Sequence, residues 1–369
     1  MICSEFLKDR KIVLNRRKTK EVKIGNVKIG NDNPVAVQSM LNVLASDVEG
    51  NINQAVALEK AGCEILRVAV PSIEDVRLIN RIKEKIKIPL VADIHFDYRI
   101  ALECIKAGAD KIRINPGNIG GKEKINAVVS ACKDKNIPIR IGVNSGSLEK
   151  DLLEKYGSPT AEALVESAFR HIKLLEYENF YNIVVSIKSS DVKTAVESYR
   201  LISSLCDYPL HLGITESGTY NMGIIKSSVG IGSLLLDGIG DTIRVSLTDN
   251  PISEVDAGIS ILSTLGLRND TPTLISCPTC GRTKIDLIKI ANEVEKRLKA
   301  IKSPIKVAVM GCVVNGPGEA KGADIGIAGG DNCVMLFKDG KILRKVSSED
   351  AVDELFKEIE RILKIEKAH

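Results

Sequence analysis

The stretch from Lys111 to Asn144 reads KIRINPGNIGGKEKINAVVSACKDKNIPIRIGVN. It opens and closes with short runs, 111–116 and 138–144, in which branched apolar residues alternate with polar ones. Such alternation predicts two β-strands. The longer segment between them mixes charged and apolar residues as an amphipathic helix does. A strand, a helix and a second strand in this order predict one unit of a parallel sheet.

The same unit recurs along most of the chain. The predicted strands are 35–40, 65–70, 89–94, 111–116, 138–144, 182–188, 209–215 and 241–247. Eight strands separated by helical segments predict an α/β fold, with a closed (β/α)8 TIM barrel over residues 35–270. A doubly wound open sheet is the alternative architecture, but eight units favour closure.

Residues typical of helix ends flank several of the helical segments. The predicted N-caps are Asp47 before 48–61, Ser72 before 73–86, Asp191 before 192–205, and Asn250-Pro251 before 252–265. These side chains accept hydrogen bonds from the first free N–H groups of a helix. Glycines follow three of the segments, at Gly62, Gly108 and Gly266. This pattern indicates helix C-caps.

Cations fall on one face of the predicted strands. Residues i and i+2 of a strand share a face, so an apolar face points to the helices and the other to the barrel axis. The cations on the axial face are Arg67, Arg113, Arg140, Lys188 and Arg244. Barrel interiors are usually packed with apolar side chains, and five cations there would repel one another without an anion. Because the planar arginine fork suits phosphate oxygens, the set predicts a diphosphate ligand.

Other polar residues stand near the same end of the barrel. Asn115, Asn144 and Ser246 are candidate neutral donors to the ligand. His95 and His211 lie at strand ends, where a histidine is either catalytic or a core residue. Glu216 follows the seventh strand and is a candidate acid or anchor. The alternative for each arginine is a structural ion pair, for which Asp93, Asp110 and Asp241 are available.

The pattern changes after residue 270. Residues 271–369 predict a smaller α+β domain with strands ending at Cys277 and spanning 305–310, 323–327, 334–337 and 341–346, and with helices over 283–301 and 348–364. The dipeptide Asp339-Gly340 predicts a hairpin turn. Gly326, Gly329 and Gly330 fit either a ligand site or a turn.

Three cysteines of this domain have the spacing of metal ligands. Cys277 and Cys280 form a Cys-x2-Cys pair, and Cys312 follows in the segment VMGCVVNGPGE, which ends at Glu319. Three thiolates and one carboxylate favour an iron–sulfur cluster. Structural zinc, which usually takes four Cys or His ligands, and a redox disulfide are the alternatives.

The remaining cysteines predict a reducing compartment. The chain has nine cysteines, an odd number, and no export signal, so a cytoplasmic protein is expected. Four of them have apolar neighbours in helical segments and are expected to be buried: Cys63, Cys104, Cys132 and Cys206.

The first 34 residues stand apart from the barrel. Residues 1–20 are basic and predict a solvated, weakly ordered segment, and 21–34 predict a hairpin around Gly25-Asn26. Few aromatic residues accompany these charges, which argues against a nucleic-acid arm. No apolar run has the length of a membrane span.

The motifs together resemble one enzyme family. CPTCGR, VMGCVVNGPGEA, HLGITESG, GIGSLLLDGIGDTIRVSLT, KIRINPGNIG and PIRIGVNSGSL are similar to those of the 4-hydroxy-3-methylbut-2-en-1-yl diphosphate synthases, in their bacterial two-domain form. The resemblance extends from Val22 to Gly330, and the stretch 41–45 and the first 20 residues depart from the family pattern.

The resemblance implies a site and a reaction. It implies a [4Fe-4S] cluster on Cys277, Cys280, Cys312 and Glu319, in a sulfite/nitrite-reductase-like domain. It implies that 2-C-methyl-D-erythritol 2,4-cyclodiphosphate is opened and dehydroxylated by two electrons to the linear allylic diphosphate. The residues that would hold this substrate or act on it are Arg67, Arg113, Arg140, Lys188, Asn144, Ser246 and Glu216.

It also implies partners. Reduced flavodoxin or ferredoxin would supply the electrons, and the cluster domain of one subunit would cover the barrel of the other in a homodimer. One alternative is a cluster-free barrel lyase or synthase whose appended domain is stabilised by zinc. The other is a zinc-ribbon-like nucleic-acid module fused to a barrel.

Overall fold

The computed structural model describes residues 15–313, 320, 322–331 and 333–366. It divides into two compact units, one up to Leu267 and one from Arg268. In the part of the chain so described, no helix has both the length and the apolar character needed to cross a membrane.

The first unit contains the predicted barrel. Its hairpin and barrel strands are β1 (Val22–Ile24), β2 (Val27–Ile29), β3 (Ala36–Met40), β4 (Ile65–Ala69), β5 (Leu90–Asp93), β6 (Lys111–Ile114), β7 (Ile139–Asn144), β8 (Ile183–Lys188), β9 (His211–Leu212) and β10 (Thr242–Ile243). Strands β3 to β10 form one parallel sheet in the order β8-β7-β6-β5-β4-β3-β10-β9. A bridge between Val185 and Leu210 joins the two ends of this sheet. The prediction of a TIM barrel is confirmed.

Helices alternate with these strands. They are α1 (Val48–Lys60), α2 (Arg77–Lys83), α3 (Tyr98–Lys106), α4 (Pro116–Ile119), α5 (Lys122–Lys135), α6 (Lys150–Tyr156), α7 (Ala161–Tyr177), α8 (Val192–Leu205), α9 (Tyr220–Leu236) and α10 (Pro251–Thr264). Asp47, Asp191 and Asn250 cap their helices as predicted. Ser72 does not, because its hydroxyl bonds to Asp75 and a 3-10 turn over Glu74–Val76 precedes α2.

The last two barrel strands are shorter than predicted. Only His211–Leu212 and Thr242–Ile243 have regular strand pairing. Beyond these residues, backbone groups form hydrogen bonds with side chains. Leu247 N–H donates to Glu254, and the Ser217 hydroxyl donates to the Ser246 carbonyl. These contacts replace the regular hydrogen bonds of a strand pair.

The hairpin closes the lower end of the barrel. Val22, Ile24 and Ile29 of β1 and β2 pack against an apolar layer of the barrel interior, which contains Ile65 and Val184. These five side chains are at most 1% exposed. The interior is therefore apolar where the hairpin packs against it.

The basic segment before the hairpin is partly structural. Arg17 donates to the carbonyls of Ser203, Cys206 and Tyr208, and Arg16 pairs with Asp241 at 3.2 Å. The prediction of a solvated segment is wrong for these two arginines, because backbone carbonyls at the bottom of the barrel need donors. The part before Asn15 lies outside the described residues.

The buried cysteines follow the prediction in three of four cases. Cys63, Cys104 and Cys132 are at most 2% exposed, and Cys206 is half-buried. Burial raises the pKa of each of the first three thiols to about 12, so these groups stay protonated and inert.

The second unit is an α+β domain. Its elements are β11 (Thr273–Ser276), α11 (Leu287–Leu298), β12 (Lys306–Met310), β13 (Ile325–Gly330), β14 (Cys333–Lys338), β15 (Lys341–Val346) and α12 (Ala351–Glu366). The sheet order is β11-β12-β13-β14-β15, parallel in its first half and antiparallel in its second. Asp339 and Gly340 both have positive φ, as the predicted hairpin turn requires.

Two predictions in this unit need correction. The helix predicted over 283–301 begins only at Leu287, because Asp286 is its N-cap and Lys284 N–H donates instead to the Gly311 carbonyl. Gly329 is not in a turn but in β13, where an added Cβ would lie 2.5 Å from the Gly311 carbonyl oxygen.

Candidate active site

The five predicted cations line one cavity at the carboxyl ends of the barrel strands. The cavity has a volume of about 190 Å³. Its lining residues are Met40, Arg67, Asp93, His95, Arg113, Arg140, Gly142, Asn144, Ser186, Lys188, Thr215 and Arg244. The carboxyl end is where barrel enzymes place their active sites.

Two glycines make room for these cations. A Cβ at Gly142 would lie 2.5 Å from Nε of Arg113, and one at Gly213 would lie 3.0 Å from Nζ of Lys188. Both glycines occupy inward positions, where any larger residue would displace a charged side chain.

Asp93 is the counter-charge for two arginines. Its Oδ1 lies 3.1 Å from Nη1 of Arg113, and its Oδ2 lies 3.6 Å from Nε of Arg67. Burial acts to raise the pKa of Asp93, but the charges of Arg67 and Arg113 outweigh it and lower the pKa to about 2. The ion-pair alternative therefore describes these two arginines in the ligand-free barrel.

A helix supplies the counter-charge for Arg244. Glu254 of α10 is 3% exposed and lies 3.2 Å from Nη2 of Arg244. Sequence reasoning missed Glu254, because the strand pattern that reveals inward residues does not apply to a helix. Asp110 and Asp241, the other carboxylates considered, bind Leu90 N–H and Leu210 N–H instead.

Arg140 and Lys188 have no such partner among the described residues. Arg140 is 1% exposed, and its Nε and Nη1 lack any described hydrogen-bond acceptor. Lys188 is 7% exposed and forms no ion pair with a described carboxylate. Burial, with the neighbouring cations, lowers the pKa of both groups well below the usual range. Two buried basic groups without a counter-charge among the described residues favour the binding of an anion between them.

The other predicted ligand residues divide into two groups. Asn144 and His95 line the cavity, and His95 Nε2 lies 3.8 Å from Asp93. Asn115 and Ser246 are not among the lining residues; the Asn115 side chain caps α4 through Gly117 N–H at 3.1 Å.

Glu216 follows a residue of the cavity wall. It is exposed and adopts φ = 50°, a left-handed conformation that costs a non-glycine residue free energy. Such conformations cluster at functional sites. Thr215, the preceding residue, lines the cavity.

One further ionisable residue of the interior, Lys111, was missed, and His211 was noted only as a histidine at a strand end. Lys111 is fully buried, and it shares the inward face of β6 with Arg113 by the same i, i+2 rule that identified Arg113. His211 of β9 is also fully buried, with Nδ1 2.8 Å from the Thr242 hydroxyl.

The second unit places its cysteines beside neighbouring strand ends. β11 and β12 pair in parallel with Ser276 opposite Val309, so Cys277 and Cys312 follow strands that end at the same edge. Gly311 N–H donates to Cys277 Sγ at 3.2 Å. Cys280 is exposed, and a hydrogen bond from the Arg282 backbone lowers the pKa of its thiol.

This donor set fits soft-metal chemistry. A backbone N–H directed at a sulfur and a lowered thiol pKa both favour the thiolate form that binds iron or zinc. Among the described residues no three His, Cys, Asp or Glu side chains stand close enough together to hold a metal ion. Glu319 lies outside the described residues.

The fold and the cavity define a class of proteins: two-domain barrel proteins with a cation-lined cavity and an appended cysteine-bearing α+β domain. The chain belongs to the GcpE family, since residues 19–259 match its TIM-barrel domain and residues 273–361 match the GcpE protein C-terminal domain.

Relatives of known name cover nearly the whole chain. It is 60% identical to the 4-hydroxy-3-methylbut-2-en-1-yl diphosphate synthase (flavodoxin) of Caldanaerobacter subterraneus, over 95% of this chain and 99% of that protein. It is 58% identical to the enzyme of the same name from Clostridium perfringens, over 95% of this chain and 100% of that protein.

Proposed function

We propose that this protein converts 2-C-methyl-D-erythritol 2,4-cyclodiphosphate into (E)-4-hydroxy-3-methylbut-2-enyl diphosphate. The reaction adds two electrons, breaks the ring C–O bond to phosphate and releases a hydroxyl oxygen as water. The observation that carries the proposal is the 60% identity to an enzyme named for that product, over 95% of the chain. The excess of cations over carboxylates in the cavity supports a diphosphate ligand independently.

The barrel residues would hold the diphosphate. Arg140 and Lys188 lack described counter-charges, so phosphate oxygens that reach them gain charge-assisted hydrogen bonds without breaking an existing ion pair. Arg113 and Arg67 are already oriented by Asp93, so the ligand would meet guanidinium groups that are held in place. A fixed diphosphate positions the carbon skeleton, and such positioning lowers the barrier of the reaction.

Glu216 and His95 would act at the mouth. Both are exposed residues next to the cavity, and either can direct a hydroxyl of the substrate or give a proton to the departing oxygen. We assign the proton transfer to Glu216, because a carboxyl group can serve as a general acid and this residue directly follows Thr215 of the cavity wall.

Cys277, Cys280 and Cys312 would hold a [4Fe-4S] cluster, with Glu319 as its fourth ligand. The cluster would supply low-potential electrons one at a time, delivered by reduced flavodoxin or ferredoxin. The names of the relatives specify flavodoxin. We place the reaction in the cytoplasm, where thiolate ligands stay reduced.

We also propose that the protein is a homodimer in which the cluster domain of one subunit covers the barrel of its partner. Helix α9 supports this with four apolar side chains at helical spacing, each more than half exposed: Met222, Ile225, Val229 and Leu236.

Anaerobic purification tests the cofactor and the reaction together. The wild-type protein is expected to be brown, to contain about four iron and four sulfide per chain, and to form the linear diphosphate with a low-potential reductant. Cys312→Ser should lose both iron and turnover. Cys333→Ser, a matched change in β14 of the same unit, should keep both.

Contrary results would separate the alternatives. A colourless wild-type protein with stoichiometric zinc would indicate the cluster-free barrel. Full turnover by Cys312→Ser would remove the cysteine trio from the reaction.

A further inference from the structure

A layer of polar side chains lies deeper in the barrel than the cation-lined mouth. It consists of inward side chains from five strands, named here the inner polar layer: Gln38, Lys111, Arg140, His211 and Thr242. Each is at most 1% exposed. Lys111 of β6 reaches across the interior to Gln38 of β3, with 3.5 Å between Nζ and Oε1. Arg140 also lines the cavity, so the layer and the cavity are continuous.

This layer contains more donors than acceptors. Four of its buried nitrogens have no hydrogen-bond partner among the described residues: Nε2 of Gln38, Nε and Nη1 of Arg140, and Nε2 of His211. Its described carboxylate neighbours are committed elsewhere, Asp93 to Arg67 and Arg113, and Asp241 to Arg16 and Leu210 N–H. Among the described residues, Lys111 is therefore a buried amine whose one hydrogen-bond contact is a long one to an amide oxygen.

The two cations of the layer cannot respond to burial in the same way. A guanidinium stays protonated in proteins, so Arg140 keeps its charge. A buried ammonium without a counter-ion releases its proton instead. Burial lowers the pKa of Lys111 well below its usual range, and the charges of Arg140 and Arg67 lower it further. His211, the other ionisable group facing Lys111, has its pKa lowered as well, chiefly by burial, and adds no positive charge.

We infer that Lys111 is a neutral amine in the ligand-free barrel and binds a proton when a diphosphate enters the cavity above it. The negative charge of the ligand offsets the positive charge of Arg140. The protonated form of Lys111 then becomes favourable again. Ligand binding then takes up one proton at Lys111, which acts as a positioning residue through the charge balance of the cavity. The inference rests on the proposed function, because it requires a diphosphate as the ligand.

Calorimetric titration with inorganic pyrophosphate tests this inference without turnover. Whole protein is titrated at pH 7.5 in two buffers with different heats of ionisation, which yields the number of protons taken up on binding. The wild type is expected to take up about one proton more than Lys111→Met. The variant should bind pyrophosphate about tenfold more weakly, because one positive charge close to the ligand is lost. Uptake at Lys188 or by the ligand itself is common to both proteins and cancels in the difference.

Two further variants make the comparison secure. Lys106→Met removes an exposed lysine of α3 that pairs with Glu103, and it should keep the wild-type proton uptake. Lys111→Met should be at least as stable as the wild type, because it removes a poorly paired buried amine. If Lys111→Met does not fold, Lys111→Gln is used in its place in the titration.

The outcomes distinguish this inference from the function on which it rests. Equal proton uptake by the wild type and a Lys111 variant, with pyrophosphate bound to both, would overturn the role of Lys111 and leave the diphosphate site intact. A wild-type protein that does not bind pyrophosphate would contradict the diphosphate site itself.

Discussion

Single residues of the barrel interior divide the cations into two kinds. Arg67, Arg113 and Arg244 have a carboxylate within 3.6 Å, and their charges are balanced in the ligand-free protein. Arg140 and Lys188 have none among the described residues. The first kind stabilises the fold, whereas the second is unfavourable until an anion binds. Stability and ligand affinity therefore respond oppositely to mutation at the two kinds of site.

Arg140→Met is expected to weaken ligand binding without destabilising the protein. The change removes charge-assisted hydrogen bonds to phosphate, so the Kd for pyrophosphate should rise by about 10- to 100-fold. The free energy of unfolding should stay constant or increase, because an uncompensated buried charge is lost. Titration and urea unfolding measure the two effects, and iron content should not change.

Arg170→Met is the matched control for this prediction. Arg170 is partly exposed on α7 and pairs with Asp151 and Glu166, away from the barrel axis. The Arg170→Met variant should have the same Kd for pyrophosphate as the wild type. A normal Kd in Arg140→Met would show that Arg140 does not reach the ligand.

Asp93→Asn is expected to destabilise the barrel in a pH-dependent way. The folded-state pKa of Asp93, about 2, lies below its ordinary value of 3.8. The ionised carboxylate therefore stabilises the fold at neutral pH, by roughly 2 kcal/mol. This stabilisation is lost as the pH falls from about 4 to about 2. Urea unfolding should show the variant less stable at pH 7 and the difference shrinking below pH 4.

An exposed carboxylate provides the comparison for Asp93. Asp256→Asn, on the outer side of α10, should unfold like the wild type at every pH. A stability difference for Asp93→Asn that is the same at pH 7 and pH 3 would contradict the ion-pair explanation.

At the scale of elements, the periodicity of apolar residues and the capping residues at helix ends predicted most of the fold. Alternating residues located the barrel strands, and Asp47, Asp191 and Asn250 marked helix starts correctly, because both signals depend on local backbone geometry. Two of the errors arose where a group outside the element took a hydrogen bond that a regular element would have made. Glu254 takes the N–H of Leu247 beyond β10, and the Gly311 carbonyl takes the N–H of Lys284 before α11.

The segment preceding β1 is expected to stabilise the barrel through Arg17. Arg17→Ala removes a guanidinium that donates to three carbonyls at the bottom of the barrel, and should cost about 2–3 kcal/mol. Thermal unfolding should show a Tm lower by several degrees. Lys18→Ala, at an exposed neighbouring position, should leave Tm unchanged. An unchanged Tm in both variants would mean that the contacts of Arg17 do not stabilise the barrel.

At the scale of the whole molecule, the proposed homodimer can be tested at the exposed apolar face of α9. Ile225→Glu places a charge in the centre of its apolar stripe, where the exposed fractions are 56% for Ile225 and 57% for Val229. Light scattering should find the wild type dimeric and the variant monomeric, and the variant should lose turnover because its barrel is no longer covered. Leu174→Glu, 40% exposed on the outer face of α7, should remain dimeric and active. A dimeric Ile225→Glu would place the interface on another face.

The sequence by itself determined the order of strands and helices, the inward direction of Arg113 and Arg140, and the spacing of the cysteines. Each of these follows from a repeat of two or 3.6 residues, or from a short motif. Only the tertiary structure decided which cations have a counter-charge. Asp93 and Glu254 meet their arginines through space, whereas Asp110 and Asp241, equally plausible on the sequence, turn toward backbone N–H groups. Ion pairing depends on distances between residues far apart in the chain, and local patterns do not contain those distances.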